Sequence, residues 1–389
     1  MADAFIVEAV RSAVGVGKPG KGALCNTRGD VLLARVLQAL VSRAKLDAAA
    51  IDDVIAGVVT PIGEQGFNLA RMSVLEAGWP VEVTGVSVNR MCVSSQQAIH
   101  QAAHAIMAGQ AEVVVGCGVE VMSRIPMGSD GMVGPNVWPP APPEYKYDFV
   151  TQGTSAEIIA DKWKLGRKEL DELSLESHRR AIAAQTKGEF DREIVSLDVV
   201  WPDGQKRPFA KDEGPRANTS LEKLASLPTV FKADGVVHAG NSSQISDGAA
   251  AVLLASEAAC KKYGFKKRAK ITTTCTAGVD PVIMLSGVIP ATRKAVQRAG
   301  IGIKDVDLFE VNEAFASVAA AWRKDCEIDW SKANVRGGAI ALGHPLGGSG
   351  ARIMTTLLHA LEDKNLRYGL QTMCIGFGQA TATIIDRNV

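Results

Sequence analysis

Apolar and polar positions along the chain switch between strand-like and helix-like periods from the start. Phe5 to Ala9 is a short apolar strand, a Gly/Lys-rich loop spans 15–22, and Asp30 to Ala44 has helical periodicity. Asp53 to Val59 reads as a buried strand and Asn68 to Ala77 as a helix. Val86 and Val88 mark a strand ending at Asn89-Arg90-Met91; Cys92 sits at the turn, and a long Ala-rich helix opens after it. Glu112 to Cys117 is a further apolar strand. Regular alternation of strand and helix predicts an α/β layered fold.

Residues 122–238 break that rhythm. Ser123 to Tyr147 is proline-rich, with Pro139-Pro140 and Pro142-Pro143, and is expected to be loop. A polar helix over Ser155–Trp163 and a charged one from Arg167 to Lys187 follow, and Asp203–Asn218 reads as irregular. This is an excursion over one face of the core, where specificity elements tend to sit.

The rhythm then returns as a repeat. LDAAAIDDVIAG (46–57) aligns with IGIKDVDLFEVN (301–312), so that Leu46 matches Ile301, Ile51 matches Val306, and Asp52 coincides with Asp307. SDGAAAVLLAS (246–256) likewise corresponds to GFGQATATIID (376–386). Two similar halves are inferred: 1–121 plus 239–262, and 263–389, with 122–238 inserted in the first.

Composition narrows the function classes. The apolar fraction of 47% and charged fraction of 22% are those of a globular protein, and 43 basic against 42 acidic residues give no footprint for nucleic acid. Seven cysteines without a CxxC pair suit a reducing compartment, and neither a secretory signal nor a membrane-length apolar run is visible. A cytoplasmic location is expected.

Four stretches carry candidate chemistry. Cys92 lies at a helix N-terminus, where backbone N–H groups and the helix dipole favour a thiolate and should lower its pKa. Asn312 ends a strand in EVNEAFAS, His344 lies in RGGAIALGHPLGGSGAR, and Cys374 lies in MCIGFGQA. Each alone has a structural reading: a buried apolar-like thiol, a helix cap, a histidine held among glycines. GGSG lacks the GK[ST] ending of a phosphate loop, and His100 and His104 lack the Glu of HExxH, so neither a nucleotide cradle nor a metal site is assigned. Together, a Cys nucleophile, a His to take its proton and a second Cys as acid/base suit reversible acyl transfer through a thioester. The glycines allow close backbone approach, so their N–H groups can face an oxyanion.

NRMCVSS, NEAFA, GHPLGGSGAR and CIGFGQA, in this order, resemble the motifs of the thiolase family (acetyl-CoA acyltransferase / 3-ketoacyl-CoA thiolase). VFKADGVVHAGNSSQISDGAAAVLLAS resembles the family's pantetheine-channel segment, and the resemblance covers essentially the whole chain. It implies two βαβαβαββ halves in a five-layered αβαβα core with an inserted loop domain. It also implies roles. Cys92 would be acylated. His344 would activate it and, with Asn312 holding a water, form one oxyanion hole. Cys374 would be the acid/base, and the N–H groups of Cys92 and Gly376 would form a second hole. Ser243, Phe231, Ala314 and Phe315 would line the pantetheine arm of coenzyme A, which is a substrate rather than a cofactor.

The chain departs from the family pattern at Ser95, Phe377 and Ala380, the first and last standing where Gly is usual. Phe377 adjoins the second oxyanion hole, and the 123–150 loop lacks the long covering segment of short-chain biosynthetic members. A degradative enzyme for a bulky, branched, cyclic or aromatic 3-oxoacyl-CoA is therefore expected. The alternatives are an acetoacetyl-CoA-forming acetyltransferase and a catalytically silent acyl-CoA- or sterol-binding scaffold. A ketosynthase-like enzyme would carry His where Cys374 stands. The family further implies a homodimer or dimer of dimers, in some members joined by a second subunit of a β-oxidation-type complex.

Overall fold

The computed structural model describes residues 2–132 and 146–389. The first half supplies β1 (Ala4–Ser12), α1 (Gly29–Ala44), β2 (Asp53–Gly57), α2 (Leu69–Glu76), β3 (Thr84–Val88), α3 (Ser94–Met107) and β4 (Val113–Val121). Two inserted helices follow, α4 (Gln152–Trp163) and α5 (Arg167–Thr186), and then β5 (Ser246–Ser256) completes that half. The second half contains β6 (Ala269–Gly278), α6 (Val288–Ala299), β7 (Leu308–Val311), α7 (Ala316–Asp325), α8 (Ser349–Asp363), β8 (Tyr368–Ile375) and β9 (Gln379–Asp386).

The main strands run in the order β7-β8-β9-β6-β1-β5-β4-β2-β3. Each half repeats the same pairing logic: β2 is parallel to β4 as β7 is to β8, and the last strand of each half runs antiparallel between its neighbours. The halves meet at a short seam where Phe5 and Ile6 of β1 pair with Lys270 and Ala269 of β6.

Helices α3 and α8 lie between the two half-sheets. Ile99 and Ile106 of α3 and Met354, Leu357 and Leu361 of α8 share one buried core with Ile6, Val114 and Leu254 of the first sheet and Ile271 and Ile385 of the second. Helix α1 covers the outer face of the first sheet, and α6 and α7 that of the second. The result is the expected five-layered α/β core. Glycines let α3 come close to its sheet: a Cβ on Gly57 would lie 2.3 Å from Ser95 N, and one on Gly116 2.7 Å from Ile99 Cα. The central layer also carries a polar seam, in which Gln96 and His100 of α3 both hydrogen-bond Thr383 of β9 at 2.7 Å. His104 bonds Thr274 at 2.8 Å, so the two histidines join the halves of the core.

Two sequence expectations are corrected. The second-half counterpart of β3 is reduced to a bridge between Phe309 and Ala333, because the Asn334 side chain takes over the strand's bonds to Val311 N and Val311 O, both at 2.9 Å. Within 203–218, Lys206–Phe209 is not irregular but pairs with Leu197–Val200 in a hairpin. Asp203 and Gly204 (φ +80°) supply its turn, an Asp-Gly signal that the surrounding charges obscured. The prolines at 135–143 lie outside the described residues.

Candidate active site

The nucleophile turn is built by side chains that replace backbone pairing at the end of β3. Asn89 accepts from Met91 N at 2.8 Å and donates to Val59 O at 2.9 Å, holding Met91 in a left-handed conformation (φ +50°). Ser94 accepts from Arg90 N and donates to Met91 O, closing the turn that presents Cys92 at the mouth of α3. The Cys92 sulfur is buried, and the Gln152 side chain and the Gly376 backbone N–H stand close enough to favour its anion.

Burial outweighs the helix terminus here. The Cys92 thiol is pushed up to about 11, with Gln152, its own N–H and the Gly376 N–H offsetting only part of the desolvation. The thiolate expected from the helix-terminus argument is therefore not the resting form, because that argument assumed a solvated turn. Cys92 rests as a thiol and needs a base.

His344, expected to be that base, lies in a loop that packs on the nucleophile turn. Its loop turns at Gly343 (φ +97°), where a Cβ would lie 2.2 Å from Ser246 Oγ, and the His344 N–H is held by Gln244 O at 3.1 Å. Ser349 Oγ donates to Pro345 O at 2.7 Å and so accepts from His344 Nδ1–H at 2.5 Å. That fixes the tautomer and leaves Nε2 as a lone-pair acceptor, 3.3 Å from Asn312 Nδ2. Burial, and secondarily the Arg352 charge, hold the imidazole neutral by pushing its pKa down to about 3. Asn312 Oδ1 is buried with no hydrogen-bond partner, an acceptor open to a water or substrate. Leu346, two residues beyond His344, packs with Cys92, Val59 and Met122 and brings the histidine loop onto the nucleophile turn.

Cys374 ends β8, fully buried, and its thiol is driven far up by burial and by the neighbouring Cys92 sulfur. It stays protonated, as a proton donor must. The turn after it holds Gly376 against Cys92, and Arg90 Nη1 ties the nucleophile turn to Gln379 Oε1 at 2.9 Å. The four proposed pantetheine residues also cluster. Ser243 N bonds Ala314 O at 2.9 Å, and Phe231 meets Phe315 edge-to-face at 6.1 Å.

The glycines after His344 do something other than expected. Gly347 N donates to Glu120 Oε2 at 2.9 Å, and Cβ atoms on Gly347 and Gly350 would strike Val119 O and Gln96 N at 2.4 and 2.2 Å. They let the second half lie against the first; the Gly347 N–H is engaged and does not face an oxyanion.

The departures from the family pattern now have surroundings. Ser95 Oγ accepts from Ala351 N at 2.9 Å and ties α3 to α8. Ala380 pairs with Cys374 across β8 and β9, and its methyl is accommodated because the facing residue is Gly287. Phe377 is left-handed (φ +63°), donates its N–H to Met284 Sδ at 3.3 Å, and sets its ring edge-to-face with Phe149 at 5.6 Å.

Three residues escaped the sequence reading. Glu120 receives Val59 N, Thr60 N, Gln65 Nε2 and Gly347 N, and so clamps both active-site loops. Its signal was available: it is the lone charge in the apolar strand VVVGCGVEV. Ser349 stood inside the glycine cluster. Gln152 had no signal, because nothing in its sequence neighbourhood aims it at Cys92.

Comparison with known proteins places this geometry. The family described as thiolase, N-terminal domain, matches residues 4–258, and thiolase, C-terminal domain, matches 265–387. The steroid 3-ketoacyl-CoA thiolase FadA6 of Mycobacterium tuberculosis is 48% identical, covering 100% of this chain and 95% of that protein. A beta-ketoadipyl-CoA thiolase of Acinetobacter baylyi is 43% identical over the full length of both. The crystal structure of human mitochondrial 3-ketoacyl-CoA thiolase superimposes with a TM-score of 0.91 at 38% identity, covering 100% of this chain and 99% of that one. With both domains matched and such identity sustained from end to end, the chain belongs to the thiolase family.

Proposed function

We propose that this thiolase cleaves a bulky or cyclic 3-oxoacyl-CoA with coenzyme A, releasing acetyl-CoA and a shortened acyl-CoA. The observation that carries the reading is the buried Cys92 thiol with the Gly376 N–H and the Cys374 thiol both close enough to act on its charge. His344 Nε2 takes the Cys92 proton, and the thiolate attacks the 3-oxo carbon. The C2–C3 bond breaks, its electron pair goes to C2, and the Cys374 thiol protonates C2 to give acetyl-CoA. Incoming CoA returns a proton to Cys374, and its thiolate attacks the Cys92 thioester, whose carbonyl oxygen lies between the N–H groups of Cys92 and Gly376; the bond from the acyl carbon to Cys92 breaks, and the released thiolate takes its proton back from His344. Each such donor contributes about 2.7–4 kcal/mol to a transition state of this kind. His344 and a water held by Asn312 Oδ1 form the other hole, toward the acetyl-CoA oxygen. Ser243, Phe231, Ala314 and Phe315 line the pantetheine arm.

A bulky acyl group is supported by Phe377 and Phe149, whose paired rings stand beside Gly376, and by the names of relatives that act on steroid and β-ketoadipyl thioesters. The test is a thiolysis panel running from acetoacetyl-CoA through long-chain to cyclic and aromatic 3-oxoacyl-CoA, with intact-mass detection of the acyl-enzyme. Cyclic or aromatic substrates are expected to exceed acetoacetyl-CoA at least about tenfold in kcat/KM, the scale of discrimination by apolar pocket contacts. Acetoacetyl-CoA as the best substrate would return the enzyme to the short-chain reading. An acylated but non-turning-over chain would favour the scaffold.

The working unit is a homodimer, supported by the edge strand β3. It ends the sheet with Val86 exposed, and Phe67, Met72, Leu75 and Val81 stand exposed in and around the neighbouring α2. Val86→Lys is expected to shift the mass in multi-angle light scattering from dimer or dimer of dimers to monomer; an unchanged mass would exclude this edge. A cytoplasmic location is supported by all seven cysteines being free and buried. Among the described residues, no helix is long and apolar enough to cross a membrane.

A further inference from the structure

The inserted region contributes one polar side chain to the nucleophile, and this was not expected from the sequence. Gln152 is the first residue of α4, the helix that follows the inserted loop. Thr151 caps that helix through Thr154 N at 3.1 Å, so the Gln152 carboxamide is not needed to start it. It reaches instead across to the two halves of the core. Its Nε2 lies 3.3 Å from where a Cβ on Gly376 would be, and the side chain stands close enough to the Cys92 sulfur to favour its anion. The next residue, Gly153, lies so close under the Phe231 ring that a Cβ there would overlap it at 2.2 Å. Gln152 therefore stands between the aromatic wall around Phe231 and the reacting sulfur.

We propose that Gln152 is a catalytic residue of this enzyme, donating a hydrogen bond from its carboxamide NH₂ to the Cys92 sulfur as that sulfur becomes anionic. The inference rests on the thiolase reading above, since it concerns the thiolate which that reading requires. A thiolate only accepts hydrogen bonds, so the NH₂ end of the amide faces it. Cys92 is buried, and without donors its charge would be strongly disfavoured. The Cys92 and Gly376 N–H groups supply two donors fixed in the backbone, and Gln152 supplies a third from a different part of the chain. This third donor is replaceable by mutation without touching the core, because Gln152 is only partly buried and begins its helix. After acyl transfer the same NH₂ lies beside the hole formed by Cys92 and Gly376, where it can also meet the thioester oxygen.

The test compares wild type with Gln152→Met, which keeps length and loses the donor, and Gln152→Glu, which places a negative charge beside the sulfur. The rate of Cys92 alkylation by iodoacetamide is followed by intact mass across pH, alongside steady-state thiolysis. A hydrogen bond to a charged group corresponds to roughly ten- to hundredfold in an equilibrium of this kind. Gln152→Met is therefore expected to alkylate at least about tenfold more slowly at pH 8, with kcat reduced similarly and KM changed less than about threefold. Gln152→Glu is expected to be slower still at pH 8 and to recover toward acid pH, where a protonated carboxyl can donate. Gln152→Ala repeats the first comparison should Gln152→Met fold poorly. Wild-type alkylation profiles and kcat in all three would overturn the proposal. The two readings fail separately: absent turnover in wild type would count against thiolysis, while the alkylation profile would still report whether Gln152 holds the sulfur.

Discussion

His344→Ala is expected to lower thiolysis by about 10²–10⁴-fold, with KM for the acyl-CoA little changed, because general-base catalysis is lost while binding contacts stay. The pH dependence gives the sharper signature. In the resting enzyme His344 is neutral, with its pKa pushed down to about 3, and Cys92 is a thiol, pushed up to about 11. Proton transfer between them is internal, so neither group changes charge across the ordinary working range. Wild-type kcat/KM is expected to vary less than about threefold between pH 6 and 9, with no acid limb near the ordinary histidine value. In His344→Ala the Cys92 proton has to leave to solvent. Its rate should then rise about tenfold per pH unit toward alkaline pH. A variant profile as flat as that of wild type would show that His344 is not the base.

The second large effect is structural. Glu120→Ala would leave Val59 N, Thr60 N, Gln65 Nε2 and Gly347 N without their shared acceptor. Orphaning several buried donors at once is expected to cost about 3–5 kcal/mol, measured by urea denaturation. Activity of the folded fraction should fall as well, because Gly347 belongs to the loop that carries His344. Glu120→Gln keeps an acceptor oxygen but turns an NH₂ toward other donors, and should fall between the two. Wild-type stability in Glu120→Ala would remove the clamp.

Much of this was legible in the sequence, and the reasons are physical. Strand and helix periods gave the layers, and the offset repeat gave the two halves, because both depend on side-chain patterning that every half-buried element must obey. Cys92, Asn312 and Cys374 could be picked out because each sits where a strand ends and a helix or turn begins, and His344 because it stands in a glycine-rich loop before a long helix. The charge state of Cys92 could not be read. It depends on how much protein closes over the sulfur, which local sequence does not encode. Gln152 was invisible for a related reason: its partner is 60 residues away, in the core rather than in the insertion that carries Gln152. The second-half strand was misjudged because an Asn334 side chain can imitate a ladder. Glu120 is legible as the lone carboxylate of an otherwise apolar strand, because a charge buried there needs hydrogen-bond partners.

The seam between the halves bears on how turnover is timed. Arg90–Gln379, Ser95–Ala351, Gln96–Thr383 and Glu120–Gly347 all cross it, and α3 and α8 share one core on both sides of it. Two lobes stitched in this way cannot hinge apart for each substrate without exposing that core to water. Admission and release therefore fall to the rim, where the start of α4 meets Phe231.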